Sequence, residues 1–401
     1  MPWKEPELME IRTEFALLAL KKEKPFRDLC RDYRISPKTG YKWLERYRQT
    51  GKRGMADRSR KPRSSPGQLE EAVVCRMVKL KLAHPHWGPK KIQALYECEY
   101  GEGPCLSSFG RVLDKVGLVE KRKARPLRSS SQRLDGVPPA QAPNDVWTVD
   151  FKGWWFIKGK KIPCQPLSVR DEYSRYILGL DALHTTRTPM VKRCFERLFA
   201  SYGMPKAIRS DNGQPFAAHQ APLGLSRLSA WWMSLGIQLH RSRPGKPQDN
   251  GAHERMHRDI ALEIEAFARG NHRDHQIVFD LWREEYNHKR PHEALKMRRP
   301  AEYYKRSSLK YPGRGCYWQY PDTFQTRRVN GSGCIWIENQ PLYLSISLAY
   351  QQVGLKPLPG LQLEIYLASY YIATLDLPTR RIIWTSPNDP SQLTSKVLPM
   401  C

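Results

Sequence analysis

Three carboxylates stand where they could act on one reacting group. They are Asp150 in the alternating run from Val146 to Phe151, Asp211 in Ser210-Asp-Asn-Gly213, and Glu254 in Ala252-His-Glu-Arg255. Sixty residues lie between Asp150 and Asp211 and 42 between Asp211 and Glu254. Each interval holds enough strand and helix to return the chain to one edge of a sheet. Three converging carboxylates repel unless a divalent cation neutralises them, and hard oxygen donors select Mg2+ or Mn2+. Two such ions about 3.5–4 Å apart activate an attacking hydroxyl and stabilise the leaving oxygen of a phosphodiester, with no side-chain nucleophile needed. The expected cofactors are two Mg2+, for which Mn2+ substitutes.

A competing motif overlaps the third carboxylate. His253-Glu254-Arg255-Met256-His257 reads H-E-x-x-H, a zinc-protease signature whose two imidazoles share a helical face. Ile260 and Glu263 stand where the longer zinc signature needs a glycine and a third histidine, although Glu284 or Glu285 could serve as a carboxylate ligand. A protease leaves Asp150, Asp211 and the net charge unexplained, so no zinc is expected. No G-x-x-x-x-G-K-[ST] occurs, so no ATP is expected either. The pairs His84/His86 and His288/His292 suit local hydrogen bonding or DNA contact. Trp154-Trp155 and Trp231-Trp232 read as core packing, with stacking on an unpaired base as the alternative. Nine scattered cysteines without a C-x-x-C read as reduced thiols.

The chain has 401 residues, with 67 Lys+Arg against 40 Asp+Glu and a formal charge of +27. Its length predicts two to four domains. Its charge excludes an acidic solvating tail and makes a polyanion, nucleic acid above all, the leading partner. Neither an export signal nor 18 consecutive apolar residues occurs, so no membrane association is expected and a cytoplasmic location is.

Elements that would position the carboxylates can be read in turn. Leu8, Ile11, Phe15 and Leu18 keep helical spacing, a short segment follows Pro25, and Ser36-Pro37 is an N-cap with proline at the first helical position. The helix so begun carries Lys38, Lys42, Arg46 and Arg48, which makes 1–60 a helix-turn-helix candidate. Residues 51–67 read as a basic linker. Helices near Leu69–Leu82 and Pro89–Tyr96, and one from Ser107, predict a second helix-turn-helix over 68–120. Residues 121–145, with Arg122 and Lys123, form a basic connector. From Val146 a period of two puts Asp150 on the face opposite Trp147 and Val149. Apolar stretches at Ile162–Val169 and Tyr176–Leu183 follow, then a helix over Pro189–Tyr202 and a strand over Ala207–Arg209. A helix over Leu225–Leu235, a strand over Ile237–His240, a polar loop to Asn250 and a long helix from Ala252 complete a mixed-sheet α/β domain over 146–308. Short apolar runs at Cys334–Ile337, Leu342–Ile346, Leu361–Tyr366 and Tyr370–Leu375 predict a small all-β barrel over 320–385, followed by a tail at 386–401.

The segments Trp147-Thr-Val-Asp-Phe151, Ser210-Asp-Asn-Gly213, Pro247-Gln-Asp-Asn-Gly-Ala-His-Glu-Arg255 and Tyr286-Asn-His-Lys-Arg-Pro-His-Glu-Ala-Leu295 together resemble the DDE transposases of the IS481/IS3-like insertion sequences, whose core is of the retroviral-integrase type. His84-Pro-His-Trp-Gly-Pro-Lys90 and Tyr41-Lys-Trp-Leu-Glu-Arg-Tyr47 resemble their amino-terminal modules. The resemblance implies an RNase H-like fold with Asp150, Asp211 and Glu254 as catalytic metal ligands. It also implies binding of terminal inverted repeats, cleavage at the element ends and strand transfer into target DNA. Position in the family motifs, together with charge, makes Lys246, Asn250, Arg255, Arg258, Asn287 and Arg290 candidates for holding the DNA backbone. The group commonly carries a basic residue where Ala261 stands here, and Arg258, one turn after Glu254, is the available substitute. A homodimer or larger assembly on double-stranded DNA, associated with a bacterial nucleoid, is expected. A catalytically silent DNA-binding regulator is the alternative.

Overall fold

The computed structural model describes residues 8–57, 67–119, 140–157, 163–242, 251–265, 270–313, 315 and 317–385. The chain divides into two compact units, Met1–Glu70 and Glu71–Cys401.

The first unit packs α1 (Leu8–Lys21), α2 (Phe26–Asp32) and α3 (Pro37–Thr50) around Phe15, Leu29 and Cys30. Ser36 Oγ accepts the Thr39 N–H at 3.2 Å and Pro37 opens α3, so the expected cap is in place. Gly40 lets α3 approach α2 closely, because a Cβ there would lie 2.7 Å from Cys30 Sγ. Residues Gly51–Met55, expected as linker, form a 3-10 turn with Met55 fully buried and its carbonyl accepting from Arg12 Nη1 at 2.9 Å. The glycine and charge around Met55 carried the linker signal, while one buried side chain decides the structure.

The second unit opens with α4 (Glu71–Ala83), α5 (Pro89–Tyr100) and α6 (Leu106–Lys115), whose core includes Met77, Trp87, Ile92, Phe109 and Leu113. The sheet of the mixed α/β region follows, with strands β1 (Val146–Phe151), β2 (Trp155–Phe156), β3 (Pro163–Asp171), β4 (Ile177–Leu183), β5 (Ala207–Ser210) and β6 (Gln238–Arg241). β1 lies antiparallel to β3 on one side and parallel to β5 on the other, and β6 continues the parallel half. Helices α7 (Thr188–Tyr202) and α8 (Arg227–Ser234) supply one face, and α9 (Gly251–Glu263) and α10 (His272–His288) the other.

Alternation along β1 explains the layering. Trp147 and Val149 join Phe195, Phe199 and Trp232 in one core, while Thr148 and Asp150 turn toward α9. The stretch Ala217–Leu228, which reads as loop from its Ala, Pro and Gly content, buries Leu223, Leu225 and Leu228 in that first core, next to Phe216.

After α11 (Pro300–Tyr303), β7 (Gln325–Arg328), β10 (Gln352–Leu358), β11 (Gln362–Leu367), β12 (Tyr370–Asp376) and β13 (Arg381–Trp384) form a sheet ordered β13-β12-β11-β10-β7, with β8 (Cys334–Ile337) and β9 (Gln340–Tyr343) as a separate hairpin. These all-β elements match the expected class, but no pairing among the described residues closes them into a barrel. They dock on α8 and the turn after it through Arg227 Nε to the Ile346 carbonyl (3.3 Å) and Tyr370 Oη to the Gly236 carbonyl (3.2 Å).

Phe195 is fully buried between the sheet and Trp232. Phe195→Ala is expected to destabilise the full chain by about 3–5 kcal/mol, read as a lowered urea midpoint with unchanged slope.

Candidate active site

The pairing register carries two of the three carboxylates to one level. Thr148 of β1 pairs with Arg209 of β5, and Asp150 and Asp211 each lie two residues further on. They therefore stand at the carboxyl ends of neighbouring parallel strands, which run about 4.8 Å apart. Asp211 is exposed on a loop that its neighbours hold firmly. Gly213 N–H donates to Asp211 Oδ1 at 3.2 Å, Asn212 Nδ2 to the Ser242 carbonyl at 2.8 Å, and Arg241 Nη1 to Ser210 Oγ at 3.0 Å. A side chain in place of Gly213 would put its Cβ 3.0 Å from Asp211 Oδ2.

Glu254 is exposed in the first turn of α9. Its neighbour His253 is buried, with Nε2 at 2.8 Å from Thr148 Oγ1 and Nδ1 at 3.2 Å from Ser168 Oγ. His257, one turn on, places Nε2 3.0 Å from the same Ser168 Oγ and Nδ1 4.0 Å from Asp150 Oδ2. Ser168 Oγ donates to the Asp150 carbonyl at 3.0 Å, and both imidazoles lie within hydrogen-bond distance of the same oxygen. α9 is thereby clamped to the strand that carries Asp150, on the face to which Asp150 points.

Burial holds both imidazoles neutral. His253 is pushed well below the ordinary value by desolvation and then by the Arg170 guanidinium. Desolvation, followed by Lys152 and Arg170, lowers His257 to about 4. Asp150, His253 and His257 bring one ligand atom each within 4.8 Å of one another. Both ring nitrogens of His253 lie at hydrogen-bond distance from hydroxyls, so the three side chains belong to one hydrogen-bonded network. The remaining donor set of Asp150, Asp211 and Glu254 consists of carboxylate oxygens, which fit a hard divalent cation.

The other expected site residues divide sharply. Lys38 and Lys42 are exposed on α3, and Arg46 lies half-buried with its guanidinium 4.8 Å from the Trp43 ring centroid. Arg255 and Arg258 are exposed on α9. Arg122, Lys123, Lys246 and Asn250 lie outside the described residues. Asn287 and Arg290 are buried, not exposed as a backbone contact would need. Asn287 is buried and pairs with the Ile177 backbone through both N–H (2.8 Å) and carbonyl (2.9 Å), tying α10 to β4. Arg290 is buried against Asp259 at 2.5 Å and Glu263 at 3.5 Å of α9.

Two motifs that read as separate in the sequence meet here. His84 Nδ1 lies 3.0 Å from Glu285 Oε1, Lys90 Nζ lies 2.8 Å from Glu293 Oε1, and Arg290 lies 5.7 Å from the centroid of buried Trp87. They dock the α4–α6 module on α10 and the turn after it. Charge complementarity between the two motifs was the available signal.

The integrase core domain matches residues 140–247, and a second integrase core domain profile matches 235–300. A helix-turn-helix domain matches 11–63 and a homeodomain-like domain 39–113. The region carrying the carboxylates is thus an integrase core, behind helix-turn-helix domains. Among relatives, an uncharacterised 31.7 kDa protein of insertion element IS407 from Burkholderia multivorans is 28% identical over 60% of this chain and 83% of its own length. The transposase for insertion sequence element IS904 from Lactococcus lactis is 24% identical over 61% and 99%. The HTLV-2 integrase catalytic core domain, solved with magnesium in a trimeric form, aligns with 41% of this chain and 99% of its own at 13% identity and a TM-score of 0.31. These matches support an insertion-sequence transposase of the IS481/IS3-like kind, with a retroviral-integrase-type core and an enzyme of the polynucleotidyl transferase type.

Two outcomes follow from the buried polar groups. Arg290→Ala removes the guanidinium that neutralises Asp259 and Glu263 and is expected to cost about 3–5 kcal/mol of stability, whereas Arg255→Ala and Arg258→Ala leave the unfolding midpoint unchanged. His292 is held by burial, then by Lys91 and Arg290, at about 3. Its unfolded imidazole takes a proton near the ordinary value of 6.5, so between those values the unfolded state binds the extra proton and stability falls as pH falls. His292→Gln is expected to flatten that acid-side loss in urea unfolding measured from about pH 7 to about pH 4.

Proposed function

We propose that this protein is a DDE transposase that binds the terminal inverted repeats of an insertion sequence, cleaves the DNA at the element ends and joins the freed 3′-hydroxyl to target DNA. The observation that carries this reading is the register that brings Asp150 and Asp211 to adjacent strand ends on an integrase core, with the helix of Glu254 clamped to the same strand. In this reading Asp150, Asp211 and Glu254 would hold two Mg2+, which would supply activation of the attacking hydroxyl and stabilisation of the leaving oxygen.

The chain's own residues do the positioning. His253 and His257, neutral and bonded to Thr148 and Ser168, hold α9 and Asp150 without adding charge to the site. Exposed Arg255 and Arg258 meet backbone phosphates near the cut, while Lys38, Lys42 and Arg46 contact the terminal repeat from α3. We assign 1–60 and 68–120 to end binding, 121–145 to a basic connector, 146–308 to catalysis and 320–385 to a further DNA contact. Two ends must be joined, so the working form is a dimer or larger assembly on DNA, whose stability falls steeply with salt.

The test is nicking of a labelled duplex that carries the flanking element end, with Mg2+ or Mn2+. Wild type is expected to nick at the boundary, while Asp150→Asn, Asp211→Asn and Glu254→Gln lose on the order of a thousandfold or more in rate yet retain end binding. Tight binding with no nicking by wild type in either metal would instead identify a silent DNA-binding regulator.

A further inference from the structure

Just beyond Asp150 the strand gains a residue. Phe151 of β1 faces Leu167 and Trp155 of β2 faces Cys164, so four steps along one strand match three along the other. The Lys152 N–H still reaches the Pro166 carbonyl at 3.1 Å, and β2 therefore resumes the ladder after a bulge that turns at Gly153, with φ of +94°. The extra residue reverses which side chains face inward. Trp155 enters the α9–α10 core beside Cys164 and Phe279, donating Nε1–H to His275 Nε2 at 3.3 Å. Trp154 and Phe156 are left outside, 60% and 53% exposed, with ring centroids 5.0 Å apart at 76°. Of the two tryptophans that both read as core, the structure buries one and presents the other.

This pair is anchored in a way that exposed aromatics on mobile tips are not. Trp155 and Ile157 are buried on either side of Phe156, and Lys152 is ion-paired with Glu265, two residues past α9. Trp154 stands four residues past Asp150, at most about 13 Å along an extended strand, which is about four base steps of a B-form strand. A flat π-surface beside a buried strand residue at that distance suits a nucleobase, because stacking on an aromatic ring accepts any base.

Resting on the transposase reading, we propose that Trp154, backed edge-on by Phe156, is the stacking platform for a base unpaired within about four nucleotides of the cut. Trp154 is a positioning residue that acts by holding the end open. The test uses the full chain with end duplexes that are either fully paired or mismatched over those four positions. Trp154→Ala is expected to nick the paired end about ten- to a hundredfold more slowly than wild type and to recover on the mismatched end, with Trp154→Phe close to wild type on both. Equal rates for Trp154→Ala and wild type on the paired end would overturn the proposal, as would an equal loss on both substrates.

A second readout does not need chemistry. In the Asp150→Asn background, 5-iodouracil placed at each of the four positions is expected to cross-link under ultraviolet light to the peptide containing Trp154, and cross-links that map elsewhere would contradict the proposal. Cross-linking at Trp154 with no nicking by wild type would overturn the catalytic reading and leave the stacking assignment standing.

Discussion

Strand β1 is held from both sides, antiparallel to β3 and parallel to β5, and this double pairing fixes both its register and its facing. Because side chains alternate along a strand, a slip of one residue would exchange Trp147 and Val149 with Thr148 and Asp150. The buried aromatic layer against α7 forbids that slip, since Trp147 and Phe199 meet at 5.7 Å and Trp147 Nε1–H reaches Asn144 Oδ1 at 2.9 Å. The position of Asp150 is therefore set by the packing of its odd-numbered neighbours on the opposite face. Asp211 follows at the same level because β5 pairs in parallel and its exit loop is held by Asn212 and Arg241.

The opposite face needs a helix that can lie on a polar strand without adding charge to it. α9 meets this need with buried His253 and partly buried His257, which bond to Thr148 and Ser168, and with Met256 and Ile260 against Trp155 and Phe279. Asp259 and Glu263, four apart on α9, then meet buried Arg290, which itself lies over Trp87 of the α4–α6 module. One chain of contacts thus runs from Asp150 through α9 and Arg290 to the second helical module. Breaking it at Arg290 leaves two partly buried carboxylates to repel one another, so that residue belongs to the frame and not to the DNA surface.

What the sequence made legible follows the same physics. The period of two in β1, the Ser36-Pro37 cap and the i,i+4 spacing of His253 and His257 are local signals, and each appears in the structure where its residues put it. Arg290 and Asn287 misled because a polar side chain in a basic chain suggests phosphate, and only the tertiary partners on α9 and β4 reveal the other use. Burial of Met55, Leu223 and Leu225 inside Gly- and Pro-rich stretches was hidden for a related reason, since turn-forming composition says nothing of what a neighbouring helix covers. The bulge at Lys152–Trp154 was equally invisible: two adjacent tryptophans look alike until the ladder shows which of them shares a face with Cys164.

We propose that Asp150, Asp211 and Glu254 together hold a divalent metal, with His253 and His257 supporting them from outside. Anomalous X-ray scattering at the manganese edge, from crystals of the full chain bound to an element-end duplex and soaked in Mn2+, tests this directly. Density is expected between the carboxylates of Asp150 and Asp211, with Glu254 within ligating distance. Density centred on His253 and His257, or none at the strand ends in DNA-bound crystals, would contradict it.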